Sequence, residues 1–168
     1  MKTHEQHMLT ALEYAQKAYA IGEVPIGAIV VDSKDNIVGC GYNDREKTQD
    51  ATRHAEIIAI RMATNQLKSW RLEDCTLYVT LEPCPMCCGA IIQSRIKKVV
   101  FGAQDSKGGC AGSICNLLDN QKFNHQPIVL SGILAEECGK ILSDFFKELR
   151  TKRNISQEIS EEVNDNEK

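Results

Sequence analysis

The sequence lacks most of what would send a chain into a membrane, out of the cell or onto a polyanion by charge alone. No apolar run among its 168 residues approaches the ~20 needed to cross a bilayer. Residues 1–6 are polar and carry no apolar segment of the kind a signal peptide requires, so the expectation is a cytoplasmic protein with no membrane contact. The net charge is only −3, and residues 155–168 hold five acids against one lysine, so that setting aside this stretch of charge −4 leaves the body at +1. Global charge therefore makes no argument for nucleic acid, and any basic footprint must be local. Its candidates are Arg95, Lys97, Lys98 and Lys107, with the cluster Lys147, Arg150, Lys152 and Arg153. No internal repeat is visible. There is one tryptophan, Trp70, for which packing is a better assignment than base stacking. A disulfide framework is excluded on other grounds: the cysteines number eight, but a chain this long with no export signal belongs in a reducing compartment.

What is present suits one soluble domain, with 42% hydrophobic and 26% charged residues. Residues 1–153 read as that domain, and 154–168 as an acidic tail, disordered for want of apolar residues. Apolar positions recur at a helical period over residues 3–20. A short β-branched run at 26–31, a turn cluster at 33–36 and a second run at 37–42 predict a β-hairpin. The polar segment 44–53 reads as a loop leading to a helix over 55–64. Residues 75–81, 85–94 and 98–102 predict a strand, a helix and a second strand parallel to the first. Residues 104–113 read as a loop, 114–118 as a short helix capped by Ser113, and 128–130 as a fifth strand. The last helix, 136–150, should turn Ile141, Leu142, Phe145, Phe146 and Leu149 inward. His4, His7 and His125 read as surface residues, and Cys40, Cys75, Cys110, Cys115 and Cys138 as small buried apolar side chains.

The chemistry concentrates in His54-Ala55-Glu56 and, thirty residues on, Pro83-Cys84-Pro85-Met86-Cys87. Pro85 suits the first position of a helix, which puts Cys84 and Cys87 on one side of a first turn, where unpaired N–H groups favour thiolate. His54 and Glu56 point to opposite sides in mid-helix, so they converge only at a helix start. One imidazole and two thiolates are the ligand set of catalytic zinc, whose fourth place is left to water. Zinc lowers the pKa of such a water from ~15.7 to ~7, and Glu56 would move its proton. Cys88 would point about 100° away from Cys87 and is a poor fourth ligand.

These two stretches fit the H-x-E…P-C-x-x-C signature of zinc nucleobase deaminases. The wider sequence resembles the bacterial tRNA-specific adenosine deaminases, in residues 23–28, 76–83, 94–96, 99–103, 132–134 and 142–146. The resemblance spans nearly the whole chain to about Arg150. It implies an α/β protein with a three-layer α-β-α cytidine deaminase-like fold, a central mixed five-stranded sheet flanked by helices. It further implies a homodimer with one zinc ion per subunit, held by His54, Cys84 and Cys87. That enzyme binds a tRNA anticodon stem-loop, usually of an arginine tRNA, and converts the wobble adenosine to inosine by hydroxide attack at C6, with Glu56 as proton shuttle. By the same resemblance Asn43 contacts the base, Ile26, Ala55 and Leu81 belong to its pocket, Asp105 and Lys107 lie on a loop beside the RNA, and Phe145, Phe146 and Arg150 on the last helix near it. Two other readings stay open. Guanine and deoxycytidylate deaminases carry a similar metal signature, and Cys-Pro-Met-Cys also occurs in guanine deaminases. A non-catalytic RNA-binding module with structural zinc is the alternative of a different class.

Overall fold

Helix α1 (His4–Ala20) begins at a capping box in which Thr3 accepts from the Gln6 N–H and the Gln6 side chain accepts from the Thr3 N–H. The computed structural model describes residues 1–166. In chain order there follow β1 (Gly27–Val31), β2 (Ile37–Tyr42), α2 (Arg45–Thr48), α3 (Ala55–Leu67), β3 (Thr76–Leu81), α4 (Pro85–Gln93), β4 (Lys98–Ala103), β5 (Ile128–Ser131) and α5 (Ala135–Asn166). The strands form one mixed sheet in the order β2-β1-β3-β4-β5. Strand β1 is antiparallel to β2 and β3, whereas β3, β4 and β5 run parallel. A parallel pair needs a crossover, which α4 supplies between β3 and β4.

Side-chain alternation along the strands splits the core in two. Ile29, Val31, Tyr78 and Val100 face α1 and α5, meeting Met8, Ala11 and Cys138. Ala28, Val30, Leu77, Val79, Val99 and Phe101 face α3 and α4, meeting Ala59, Ala63, Cys88 and Ile91. The expected three-layer arrangement around a mixed five-stranded sheet is the one formed.

The distance between β2 and α3 is set by glycine. A Cβ added at Gly41 would lie 2.5 Å from the Ala55 carbonyl oxygen and 2.8 Å from Ile58 Cβ, both on the first turns of α3. Gly41→Ala is therefore expected to push α3 off the sheet at the end that carries His54 and Glu56. Overpacking of this kind costs about 1–3 kcal/mol, or roughly 2–4 °C of melting temperature per kcal/mol for a domain of this size. Thermal unfolding measures it, and an unchanged midpoint would show that α3 has room to shift.

Several sequence expectations are corrected. Residues 45–48 form α2 inside the expected loop. Residues 114–118 form no helix. The Ser113 hydroxyl, whose oxygen would have accepted from a first helical turn, is turned to Glu82, to which it and the Ser113 N–H donate, and an Ala111–Asn116 bridge closes the segment into a tight turn. His7 is buried, with Nε2 2.8 Å from Asp35 Oδ1, because it shares the inward stripe of α1 with Met8 and Ala11. Cys115 is exposed and Cys40 half-buried, unlike Cys75, Cys110 and Cys138. On α5, Ile141 and Phe145 are buried, but Phe146 and Leu149 are exposed. The helix also continues past Arg150 to Asn166, where the sequence suggests a disordered tail. No glycine or proline interrupts 151–166, and propagation costs little once a helix is nucleated. Residues 151–160 of this extension are exposed, and residues 167 and 168 lie outside the described residues.

Candidate active site

Both halves of the metal motif sit at helix starts. His54 is the N-cap of α3 and Cys84 the N-cap of α4, each with extended backbone (φ −82°, ψ 151° and φ −75°, ψ 175°), and Pro85 opens α4. The His54 carbonyl still accepts from the Ile58 N–H, and the Cys84 carbonyl from the Cys88 N–H, so each cap residue can turn its side chain away from its helix without leaving the backbone unpaired.

The three side chains converge. His54 Nδ1 lies 3.6 Å from both Cys84 Sγ and Cys87 Sγ. Among the described residues this is the group of His, Cys, Asp and Glu side chains whose ligand atoms gather closely enough to hold a metal ion. The spacing can be tested against chemistry. A tetrahedral zinc ion with Zn–S ~2.3 Å and Zn–N ~2.0–2.1 Å separates nitrogen from sulfur by about 3.6 Å, so the group fits that ion.

The electrostatics agree with a ligand set. A hydrogen bond from Cys87, aided by one from His54, pulls the Cys84 thiol down to about 4 against the opposing effect of burial. The same pairing with Cys84 pushes the Cys87 thiol up, and the Cys84 contact raises His54. The shift at Cys84 favours the thiolate, the form in which a thiol binds a metal. Glu56, on the first turn of α3, is 4% exposed, and burial pushes its carboxyl up to about 7 against the pull of its own backbone N–H and His54. A carboxyl so placed is suited to exchanging a proton near neutrality.

A cleft of about 770 Å³ opens over this centre. Of the residues singled out in the sequence, Ile26, Asn43, His54, Leu81, Asp105, Lys107, Phe146 and Arg150 line it. Ala55 and Phe145 do not, and of the centre itself His54 reaches the lining while Glu56, Cys84 and Cys87 lie behind it. Ala55 is fully buried under Gly41, and Phe145 packs edge-on against Tyr19 at 5.4 Å in the core. Asn43 is held to the wall by its own N–H on the Ile26 carbonyl and by Nδ2 on the Val24 carbonyl at 3.4 Å. Arg95, a candidate for the basic footprint, instead takes a left-handed φ of 60° just past α4 and donates to the Ile92 and Gln93 carbonyls, closing that helix.

Sequence reasoning missed Arg45, Leu142 and Glu82. Arg45 lines the cleft from the start of α2, and nothing in a polar run marks one arginine above its neighbours. Leu142 was readable: with Phe146 and Arg150 it recurs every fourth residue, one stripe of α5, and all three line the cleft. Glu82, beside the motif, is 2% exposed and accepts from the N–H groups of Asp105, Ala111 and Ser113 and the Ser113 hydroxyl. Burial would raise its carboxyl, but those donors, the Ser113 hydroxyl foremost, hold it below the usual range.

With this geometry in view, the relatives are informative. The sequence profile of the MafB19-like deaminases matches residues 2–150. The chain is 52% identical over 157 residues to the tRNA-specific adenosine deaminase of Bacillus subtilis, covering 94% of this chain and 97% of that one. It is 48% identical over 161 residues to the enzyme of the same name from Haemophilus influenzae, covering 96% and 93%. A solved structure from a study of A-to-I editing by tRNA:A34 deaminases at the wobble position of transfer RNA superimposes with a TM-score of 0.78 at 41% identity, over 82% of this chain and 99% of that one. Signature, fold and likeness across nearly the whole length agree, and the chain belongs to the family of tRNA-specific adenosine deaminases.

Proposed function

We propose that this protein converts the wobble adenosine of a tRNA anticodon to inosine by zinc-dependent hydrolytic deamination, with an arginine tRNA as the first substrate to test. The observation that carries the reading is the meeting of His54, Cys84 and Cys87 with buried Glu56 beside a cleft of about 770 Å³ that His54 lines. His54, Cys84 and Cys87 would hold the ion, which when bound supplies Lewis acidity that brings the pKa of a water from ~15.7 to ~7.

The chain's own residues do the rest. Glu56 takes the water's proton and delivers it to N1 of adenine as C6 is attacked; it then passes the remaining hydroxyl proton to the amine, which leaves as ammonia. Asn43 orients the base through its amide, between the apolar walls of Ile26 and Leu81. Lys107, Arg45 and Arg150 place positive charge around the mouth, where the phosphates of an anticodon loop would lie. An anticodon nucleotide is already partly unstacked, so splaying it out costs less than flipping a base from a duplex.

Residues 1–153 would carry the reaction, since Arg150 is the last residue on the cleft wall. A homodimer with one zinc per subunit is part of the proposal, supported by the exposed apolar side chains Met62, Leu67 and Trp70. Among the described residues no helix is long and apolar enough to cross a membrane, and the cytoplasm, where tRNA is found, is the proposed location. The test is nucleoside analysis after incubation with an arginine tRNA anticodon stem-loop bearing unmodified adenosine, alongside guanine and deoxycytidylate. Inosine at the wobble position alone is the expected result. Ammonia from guanine or deoxycytidylate with the RNA untouched would overturn the substrate assignment, and no product from any of them would favour a binding module.

A further inference from the structure

The rim of the cleft that carries Asp105, Ser106 and Lys107 belongs to a loop without regular structure, yet it is tied down at several points. Asp105 Oδ1 accepts from the N–H groups of Lys107 and Gly108 at 3.0 and 3.1 Å, which closes the tip into a turn. That turn is docked by one buried side chain. Glu82 Oε2 accepts from the Asp105 N–H at 2.9 Å and from the Ser113 hydroxyl, while Oε1 accepts from the Ala111 and Ser113 N–H groups at 3.1 and 2.9 Å. Every donor comes from the loop. Gly109 lies directly over the carboxylate, where an added Cβ would fall 2.3 Å from Glu82 Cδ. On either side the backbone repeats the tie: the Glu82 N–H donates to the Ala103 carbonyl and the Cys110 N–H to the Pro83 carbonyl, both at 2.8 Å. Cys84 follows two residues later. Glu82 does not itself line the cleft.

We infer that Glu82 is a positioning residue: it holds the Asp105–Ser106–Lys107 rim in register with the centre formed by His54, Cys84 and Cys87, and thereby governs reception of the RNA loop rather than its turnover. The inference rests on the proposed function, because the rim matters only if it faces RNA. Glu82→Gln probes it with little change of shape. The new amide has one oxygen and one NH₂. If the oxygen keeps the Ala111 and Ser113 N–H groups, the NH₂ meets the Asp105 N–H, donor against donor, while the Ser113 hydroxyl can rotate to accept. The bond selectively lost is the one to the rim.

The experiment has two readouts on the full, metal-loaded chain. In steady-state kinetics on the anticodon stem-loop, Glu82→Gln is expected to raise KM about tenfold, the scale of one hydrogen bond to a charged group, with kcat within about threefold and metal content unchanged. A fall in kcat at constant KM, or loss of metal, would overturn the assignment and make Glu82 part of the support for Cys84. The second readout needs no substrate: amide hydrogen exchange at Asp105 should quicken at least about tenfold while Ala111 keeps its protection. Unchanged protection at Asp105 refutes the inference even if the protein makes no inosine, whereas absence of inosine from the natural sequence refutes the function and leaves the exchange result standing. Should Glu82→Gln fail to fold, Ser113→Ala removes one donor and should raise KM about two- to fivefold, with Ser113→Thr restoring it; an unmoved KM in Ser113→Ala counts against Glu82.

Discussion

Glu56→Ala is expected to hold its metal and to make no more than about 10⁻²–10⁻⁴ of the inosine that the natural protein makes, the usual range for removing a general acid–base group. Glu56 is not among the side chains whose ligand atoms converge, so its loss leaves the two sulfurs and the imidazole where they were. It is also nearly inaccessible, at 4% exposure, so bulk water cannot readily replace it as a proton carrier. Hydrolysis of the C6 amine needs one group to serve an oxygen, a ring nitrogen and the departing amine in succession, and the Asp105 carboxylate on the cleft wall is engaged by the N–H groups of Lys107 and Gly108. Inosine measured by nucleoside analysis, beside metal quantified per chain, decides the matter. Activity within tenfold of the natural protein would remove Glu56 from the mechanism, and loss of metal would make it a ligand instead.

The second large effect belongs to Cys87→Ser. A metal held by His54, Cys84 and Cys87 joins α3 to α4 across a loop of about 30 residues. Treated as a cross-link, closure of such a loop is worth about 3–4 kcal/mol through the unfolded chain, or roughly 6–15 °C in melting temperature. The variant should therefore contain little zinc, be inactive and melt lower by about that amount. A chelator should lower the melting temperature of the natural protein and leave that of Cys87→Ser unmoved. Equal sensitivity of the two proteins to chelation would mean that Cys87 is not a ligand.

The parts of this site that could be read from sequence are those whose geometry is local. Cys84 and Cys87 lie within one helical turn, Pro85 announces where that turn starts, and His54 and Glu56 can converge only at the head of a helix. The short apolar, β-branched runs of β1, β3 and β4 and the crossover through α4 made the sheet readable for the same reason. What escaped depends on tertiary partners. Ser113 looks like a helix cap until Glu82, distant in sequence, turns its hydroxyl and N–H the other way. His7 looks like a surface histidine until Asp35, on the β1–β2 turn, comes within 2.8 Å. Arg45 enters the cleft on α2, which buried Glu23 ties down by accepting from the Lys47 N–H, and the length of α5 is a matter of helix propagation, to which a count of apolar residues is blind.

Phe145 and Phe146 stand 5.5 Å apart, edge to face, the first against Tyr19 in the core and the second on the cleft wall. Neighbouring residues on one helix thus straddle the boundary between the packed interior and the cleft wall. Drift in the interior is consequently not silent at the surface. Half-buried Tyr19 reaches the cleft wall through Phe145, so a substitution there that loosens this stack is expected to shift Phe146 although Tyr19 itself lies outside the cleft.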